Sequence, residues 1–441
     1  MICVPGPVRA RTFEYLGVDV DAGAGTITCR FRSGDDSFSE VAAFDPEVVD
    51  LGAPGVEQAA VLYCLLAGLS YYKAAAAHEV ILGELGVGPA SRALLAAAID
   101  RGLAEFAYRN DLDLSDVSIR GGAPVARATV DAPASGPLVP FGGGIDSIVT
   151  VLTAVDADAA LFIVGPSEQP FDAIERPARL TGLPVVRATR TLDPSVLGPR
   201  RTSRFDGHVP VTAMISALAV VAALGQHRGA VVMSNERSAS VPNLLVDGRG
   251  VNHQWSKSLE AEDLLRAALD ECLEGGPAYY SALRDRSELW VASRLAESPA
   301  YLEACMSCNR AFRQDPAARA TTWCGECDKC LFVDLVLAPF VDRAVLEAMF
   351  AGKEPIGDPA SCSRLEVLTG LVDNPKPFEC VGDVDECATA LVAAASREDR
   401  ADQPHLAALG ARLGSARPLA ALLERHGRSN APVRDAARDL V

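Results

Sequence analysis

Positive charge is scarce in this chain. Its 41 lysines and arginines face 58 aspartates and glutamates, a formal charge of −17 over 441 residues. Nucleic-acid binding needs clustered Lys and Arg against phosphate, so a large nucleic-acid footprint is not expected. A small anionic substrate held in a local basic pocket stays compatible with that balance. Long apolar runs are missing too. The longest, Ala213 to Leu224, falls short of the roughly 20 residues of a membrane-spanning helix and reads as a buried helix. The opening Met1-Ile2-Cys3-Val4-Pro5-Gly6 lacks the charged-then-apolar layout of a secretory signal, and the expected compartment is the cytoplasm. No internal repeat and no long low-complexity tract interrupts the chain. What is present, 49% hydrophobic and 22% charged residues, is a globular composition long enough for two or three domains.

The most informative segment is Pro137-Leu138-Val139-Pro140-Phe141-Gly142-Gly143-Gly144-Ile145-Asp146-Ser147. A short apolar strand ends in three glycines, then Asp-Ser, then the helical run Ile148 to Leu152. Glycines let the backbone approach a ligand closely, and the unpaired N–H groups of a helix's first turn point at an anion placed there. The spacing fits Gly-Gly-x-Asp-Ser, the pyrophosphate-binding loop of enzymes that split ATP into AMP and pyrophosphate. It does not fit Gly-x-x-x-x-Gly-Lys-Ser/Thr, which cradles a nucleotide cut at its γ-phosphate. The expected chemistry is therefore formation of an acyl or iminyl adenylate. Such loops usually open with Ser. Here Gly142 holds that place, which leaves the backbone donors and Ser147 to meet the pyrophosphate.

The pattern along the chain predicts an α/β fold, a doubly wound parallel sheet with an N-terminal α+β unit and a helical, cysteine-rich C-terminal region. Residues 1–131 form the first unit, with strands over Thr12 to Val20 and Thr26 to Phe31 and helices over Val56 to Leu85 and Ser91 to Phe106. Residues 132–255 alternate strands (Leu138–Phe141, Ala160–Val164, Val185–Ala188, Val231–Met233) with helical stretches, which argues for parallel strands joined by crossovers. Ligands in such sheets sit at the carboxyl ends of the strands. Gly142, Gly143, Gly144, Asp146 and Ser147 fall there, and Ser234-Asn235-Glu236 after the fourth run are expected to contact the nucleotide. A helical region with a cysteine site spans 256–335, and a helical Ala/Leu/Arg-rich region spans 336–441.

Five of the twelve cysteines lie between Cys305 and Cys330, as Cys305-x-x-Cys308 and Cys324-x-x-Cys327-x-x-Cys330. A Cys-x-x-Cys turn places two thiolates on one tetrahedral ion, and two such elements close a four-thiolate site, zinc being expected and an iron–sulfur cluster the alternative. The preferred set is Cys308, Cys324, Cys327 and Cys330; the rival set is Cys305, Cys308, Cys324 and Cys327. Four thiolates leave no open position for a substrate, so the site reads as structural.

The loop, the Ser-Asn-Glu turn and the trailing cysteines together resemble the PP-loop ATP pyrophosphatases, which implies a sheet of the HUP type. In that family 7-cyano-7-deazaguanine synthase carries a zinc site of one Cys followed by Cys-x-x-Cys-x-x-Cys. More of the chain is similar to one branch, the ATP-dependent epimerases that act on the glutamate of UDP-N-acetylmuramoyl-L-Ala-L-Glu in peptidoglycan synthesis. The resembling stretches are Gly68 to Lys73, Gly207 to Thr212, Asn252 to Ser258, Trp323 to Cys330 and Lys376 to Gly382. That resemblance implies ATP and Mg²⁺ as cofactors, with Asp146 as a metal ligand, and a sugar-nucleotide peptide as substrate. For proton transfer it points to Cys380, beside Lys376, and to His253, with His208 a further possibility; Tyr71, Tyr72 and Lys73 read as a solvated or interdomain edge. The alternatives are an amide- or nitrile-forming synthetase, a transfer-RNA thiolase and a non-enzymatic nucleotide-binding protein. The oligomeric state is not legible.

Overall fold

The computed structural model describes residues 7–166, 168–197, 204–313, 315–414, 418–424 and 427–432. Ten strands share one sheet. In chain order they are β1 (Thr12–Asp21), β2 (Thr26–Ser33), β3 (Asp36–Phe44), β4 (Glu79–Ile81), β5 (Ser118–Arg120), β6 (Leu138–Pro140), β7 (Ala160–Val164), β8 (Val185–Thr191), β9 (Ala230–Met233) and, after a hairpin of β10 (Leu244–Val246) and β11 (Arg249–Val251), β12 (Ala278–Ser281). Their order across the sheet is β12-β9-β6-β7-β8-β3-β2-β1-β4-β5. The run from β12 to β8 is parallel, β8-β3-β2-β1 is antiparallel, and β4 and β5 continue parallel to β1. From β6 the chain steps outward through β7 and β8, then returns to place β9 and β12 on the other side of β6. The strand order therefore reverses between β6 and β9, and a crevice opens at their carboxyl ends.

The helices that position the site are α1 (Val56–Ala67), α2 (Leu69–Ala75), α3 (Pro89–Ala97), α4 (Ala104–Arg109), α5 (Ile145–Ala154), α6 (Asp172–Thr181), α7 (Val211–Gly225), α8 (Leu259–Cys272), α9 (Glu288–Ala296), α10 (Asp328–Leu337) and α11 (Val384–Ala395). Successive strand residues point to opposite faces, and this divides the interior in two. Leu138, Phe162, Val231 and Met233 join one core with α1, α7 and α8, whereas Val139, Leu161, Ile163 and Val232 join another with α5, α6, α9, α10 and α11. The sheet is thus covered on both faces, as expected of a doubly wound arrangement. Among the described residues no helix is long and apolar enough to cross a membrane.

Several local expectations change. The helix expected over Val56 to Leu85 stops at Ala75, and Glu79–Ile81 turns into the sheet beside β1. Gly68, itself in the right-handed helical region, joins α1 to α2 where a Cβ would lie 2.6 Å from the Tyr15 ring, and Ala76 ends α2 in a left-handed conformation (φ 44°). The stretch expected as one helix from Ser91 is α3, a π turn at Ala98–Gly102 and α4. Strand β3 is masked in the sequence by Glu40, a carboxylate on its inward face. Glu40 is fully buried there because Arg190 of β8 meets it twice (2.6 and 2.9 Å) and Tyr63 Oη donates to it at 2.5 Å. The region 256–335 is not wholly helical, since Ala278–Ser281 forms the edge strand β12. Strands on either side of the expected boundary at residue 131 share the sheet through the β3–β8 pairing. The last part of the expected C-terminal helical region, 433–441, lies outside the described residues.

Candidate active site

Strand β6 ends at Pro140 and the chain turns through Gly142-Gly143-Gly144 into α5. Gly143 has φ +72°, and a Cβ on it would fall 2.3 Å from the Ala173 carbonyl oxygen, so only glycine fits. No side chain caps α5 at Gly144, which leaves first-turn N–H groups available to an anion. A cavity of about 290 Å³ opens in front of the loop, at the carboxyl ends of β6 and β9. Gly142, Gly144, Asp146, Ser147, Ser234 and Asn235 line it, together with Lys257, Glu288, Ser307, Asn309, Lys329 and Cys380. The Ser234-Asn235 turn is shaped by Ser281 of β12, whose hydroxyl accepts from Asn235 N–H (2.6 Å) and donates to Asn235 O (2.7 Å). A larger open groove of about 550 Å³ beside α4 and the β10–β11 hairpin contains none of these residues.

Three carboxylates converge beside the loop, Asp146 and Glu288 in the cavity wall and Glu236 against them. Oxygen atoms of Asp146, Glu236 and Glu288 lie within 4.8 Å of one another. Burial, reinforced by the Glu236 charge, pushes Asp146 up to about 7, and burial with the same neighbours raises Glu288 well above the carboxylate range. Lys257 and Lys329 offset part of this negative charge. Three oxygen donors held so close suit a hard divalent cation such as Mg²⁺. Glu236, expected as a nucleotide contact, sits in this trio.

Cys380 forms another part of the same wall. Its Sγ lies 3.6 Å from Lys257 Nζ, Lys329 Nζ donates to its carbonyl (2.6 Å), and His253 is close enough to shift its ionisation. Burial raises the thiol pKa, but Lys257, His253 and Lys329 outweigh it and bring it down to about 6. His253 shows the mirror image: burial lowers it, yet Cys380 and Glu105 carry it up to about 9. Its Nδ1 meets Glu105 Oε2 at 2.5 Å, and Arg109 Nε holds the other oxygen of Glu105 at 2.7 Å. The arrangement is a thiolate, an imidazolium and a carboxylate in series. His253 does not line the cavity itself but stands behind Cys380.

His208 packs against His253, ring centroids 4.3 Å apart, and burial pushes it down to about 4, so it stays neutral at pH 7. Donor atoms of Glu105, His208 and His253 also lie within 4.8 Å of one another, but the bond to Glu105 already uses Nδ1 of His253. Lys73 fixes this corner by donating to Asp206 (3.1 Å) and to Gly207 O (3.0 Å). Tyr71 and Tyr72 are buried, not solvated, with Tyr71 Oη accepting from Asp193 N–H at 3.2 Å.

Behind the cavity the structure brings together Cys308, Cys324, Cys327 and Cys330, their sulfurs all within 4.8 Å of one another. Backbone N–H groups of Glu326 and Cys327 point at Cys324 Sγ, and that of Cys330 at Cys327 Sγ, each at 3.4 Å. Such a donor set fits a tetrahedral thiophilic ion. Cys305 is left out: its buried thiol donates to Leu302 O at 3.4 Å, and burial raises it to about 12. Glu105, Glu288, Ser307 and Asn309 carry no motif that could nominate them from sequence. Lys257 and Lys329 stand inside resembling segments, without a role assigned there.

Comparison with known proteins adds what geometry alone does not. Residues 6–282 match the family model described as the MurL N-terminal domain, and residues 304–422 match the MurL C-terminal domain. The chain is 39% identical over 416 residues to a protein of Salinispora tropica named UDP-N-acetyl-alpha-D-muramoyl-L-alanyl-L-glutamate epimerase, covering 91% of this chain and 88% of the relative. Proteins of the same name from a Micromonospora species and from Xanthomonas oryzae pv. oryzae are 38% and 37% identical, over 91% and 88% of this chain and 90% and 86% of theirs. No solved structure matches the chain. Two family domains in sequence, with relatives aligned along most of their length, make this chain a member of the MurL family.

Proposed function

We propose that this chain is an ATP-dependent epimerase that inverts the terminal L-glutamate of UDP-N-acetylmuramoyl-L-Ala-L-Glu, a step of peptidoglycan precursor synthesis, through an acyl-adenylate. The observation that carries the mechanism is one shared cavity, lined both by the glycine loop with its carboxylates and by the Cys380 thiolate. The strand reversal beside the loop supports a PP-loop type of sheet. The absence of an apolar helix of membrane-spanning length among the described residues is compatible with a cytoplasmic enzyme.

A free α-carboxylate opposes a carbanion next to it, and adenylation removes that charge. A glutamate carboxylate oxygen attacks the α-phosphorus of ATP, and the bond to pyrophosphate breaks. Cys380 then takes the α-proton while the acyl carbonyl accepts the electron pair. Solvent delivers a proton to the opposite face, which inverts the centre, and Cys380 returns the proton it took to solvent. Water cleaves the anhydride to release AMP and the D-glutamyl product. Lys257 keeps the sulfur ionised, and the Glu105–His253 pair fixes it from behind. Asp146, Glu236 and Glu288 would hold Mg²⁺, which supplies charge neutralisation at the phosphates. Cys308, Cys324, Cys327 and Cys330 would hold a structural zinc.

The test is purified protein with ATP, Mg²⁺ and the UDP-muramoyl-L-Ala-L-Glu substrate, read by chiral analysis of glutamate and by AMP and pyrophosphate release. D-Glutamate formed with AMP and pyrophosphate is expected, and Asp146→Ala abolishes both. Pyrophosphate release without inversion, or an amide product in place of inversion when ammonium is added, would overturn the proposal.

A further inference from the structure

Two hydroxyl oxygens in the cavity wall are buried with no hydrogen-bond partner among the described residues, Ser234 Oγ after β9 and Ser307 Oγ from the C-terminal half. Buried polar groups are nearly always paired, so an unpaired one in a cavity wall marks a place where a ligand completes the bonding. Ser307 is held against the glycine loop. The N–H of its neighbour Met306 points at the Gly143 carbonyl (3.4 Å), and a Cβ on Gly144 would lie 3.3 Å from Ser307 Cβ. The following residue, Cys308, belongs to the four-thiolate cluster, and Lys329, next to Cys330, lines the same cavity. The cluster thus carries one wall of the nucleotide site. On the loop itself Gly142 offers no side chain, and among the described residues no atom outside its chain neighbours lies within 4 Å of where its Cβ would be.

We infer that Ser307 donates a hydrogen bond to the phosphate chain of ATP beyond the α-phosphate, closing from the C-terminal half a site whose other donors are the backbone amides of the loop and α5. This rests on the reading of the loop as an ATP site. A hydroxyl suits the position because its proton can turn toward an anionic oxygen, and such charge-assisted bonds are among the stronger ones.

The experiment measures binding of ATP, inorganic pyrophosphate and AMP, each with Mg²⁺, by calorimetry to the wild type, Ser307→Ala and Ser307→Cys, alongside thermal unfolding. Ser307→Ala is expected to weaken ATP and pyrophosphate about tenfold or more, to leave AMP unchanged, and to unfold at the wild-type temperature. Ser307→Cys, of similar size but a weak donor, should behave like the alanine variant. Wild-type affinity for ATP in both variants would overturn the assignment of Ser307 alone. An equal loss for ATP and AMP would overturn its placement beyond the α-phosphate, and a lowered unfolding temperature with unchanged binding would make the hydroxyl structural. Failure of the wild type to bind ATP would overturn the underlying reading of the loop.

Discussion

Lys257 Nζ lies 3.6 Å from Cys380 Sγ, and of the influences that lower the thiol pKa it is the largest. Burial alone would hold the thiol protonated at neutral pH. With Lys257, His253 and Lys329 facing it, Cys380 titrates at about 6. The sign follows directly. Below pH 6 the group is a thiol and unreactive; above it the thiolate dominates. Alkylation by iodoacetamide, located by peptide mass spectrometry, should therefore rise with pH to a midpoint near 6 and then level off. Lys257→Met should move that midpoint upward, toward the ordinary thiol value of about 8.5. A wild-type midpoint at that ordinary value would remove the thiolate from the mechanism.

The glycine loop yields a prediction of opposite outcomes at adjacent positions. At Gly143 a Cβ would fall 2.3 Å from the Ala173 carbonyl oxygen, with φ at +72°. Gly143→Ala should cost about 2 kcal/mol or more of stability, from strain in the left-handed region plus a displaced backbone. At Gly142 no atom of the described residues outside its chain neighbours lies within 4 Å of the Cβ position, so Gly142→Ser should fold with an unfolding temperature near wild type. Denaturant unfolding of the two variants compares them directly, and equal stability would contradict the loop geometry.

The glycine loop, the first hairpin and the Cys-x-x-Cys elements are constraints between neighbours in sequence, so spacing alone exposes them. Features set by tertiary packing are not legible in that way. Strand β3 is concealed because Glu40 breaks its apolar alternation, and Arg190, which neutralises Glu40, lies on another strand. Glu105 and Glu288 are single carboxylates on helices, where such residues are ordinarily solvated. They acquire roles only when packing sets them against His253 and Asp146. Cys380 can be nominated by resemblance but not by pattern, since the residues that ionise it, Lys257, His253 and Lys329, come from distant segments.

The thiolate cluster predicts one tightly bound metal per chain, zinc being expected. Because binding free energy becomes folding free energy, Cys324→Ser should lower both metal content and unfolding temperature. Cys305→Ala is the control. Its thiol donates to Leu302 O and takes no part in the cluster, so metal content should stay at one equivalent. Elemental analysis after purification without chelator decides the point. Loss of metal from Cys305→Ala with retention in Cys324→Ser would reverse the assignment.

The last prediction concerns the order of chemical steps. Cys380 and the loop line one cavity, so in the proposed mechanism the group that takes the α-proton faces a substrate activated in place. In D₂O, deuterium should enter the glutamate α-carbon only when ATP is present, because the free carboxylate is too weak a carbon acid to exchange. Activation and exchange should then separate by mutation. Cys380→Ala keeps the loop and the Asp146, Glu236 and Glu288 trio, so pyrophosphate release should persist in part while exchange falls by about 100-fold or more. His253→Ala should fall between, since it removes one of the groups that lower the thiol pKa but leaves Lys257 beside the sulfur. Exchange without ATP would defeat the adenylate route. Full exchange in Cys380→Ala would assign the proton transfer to a different residue and leave the thiolate with a binding role.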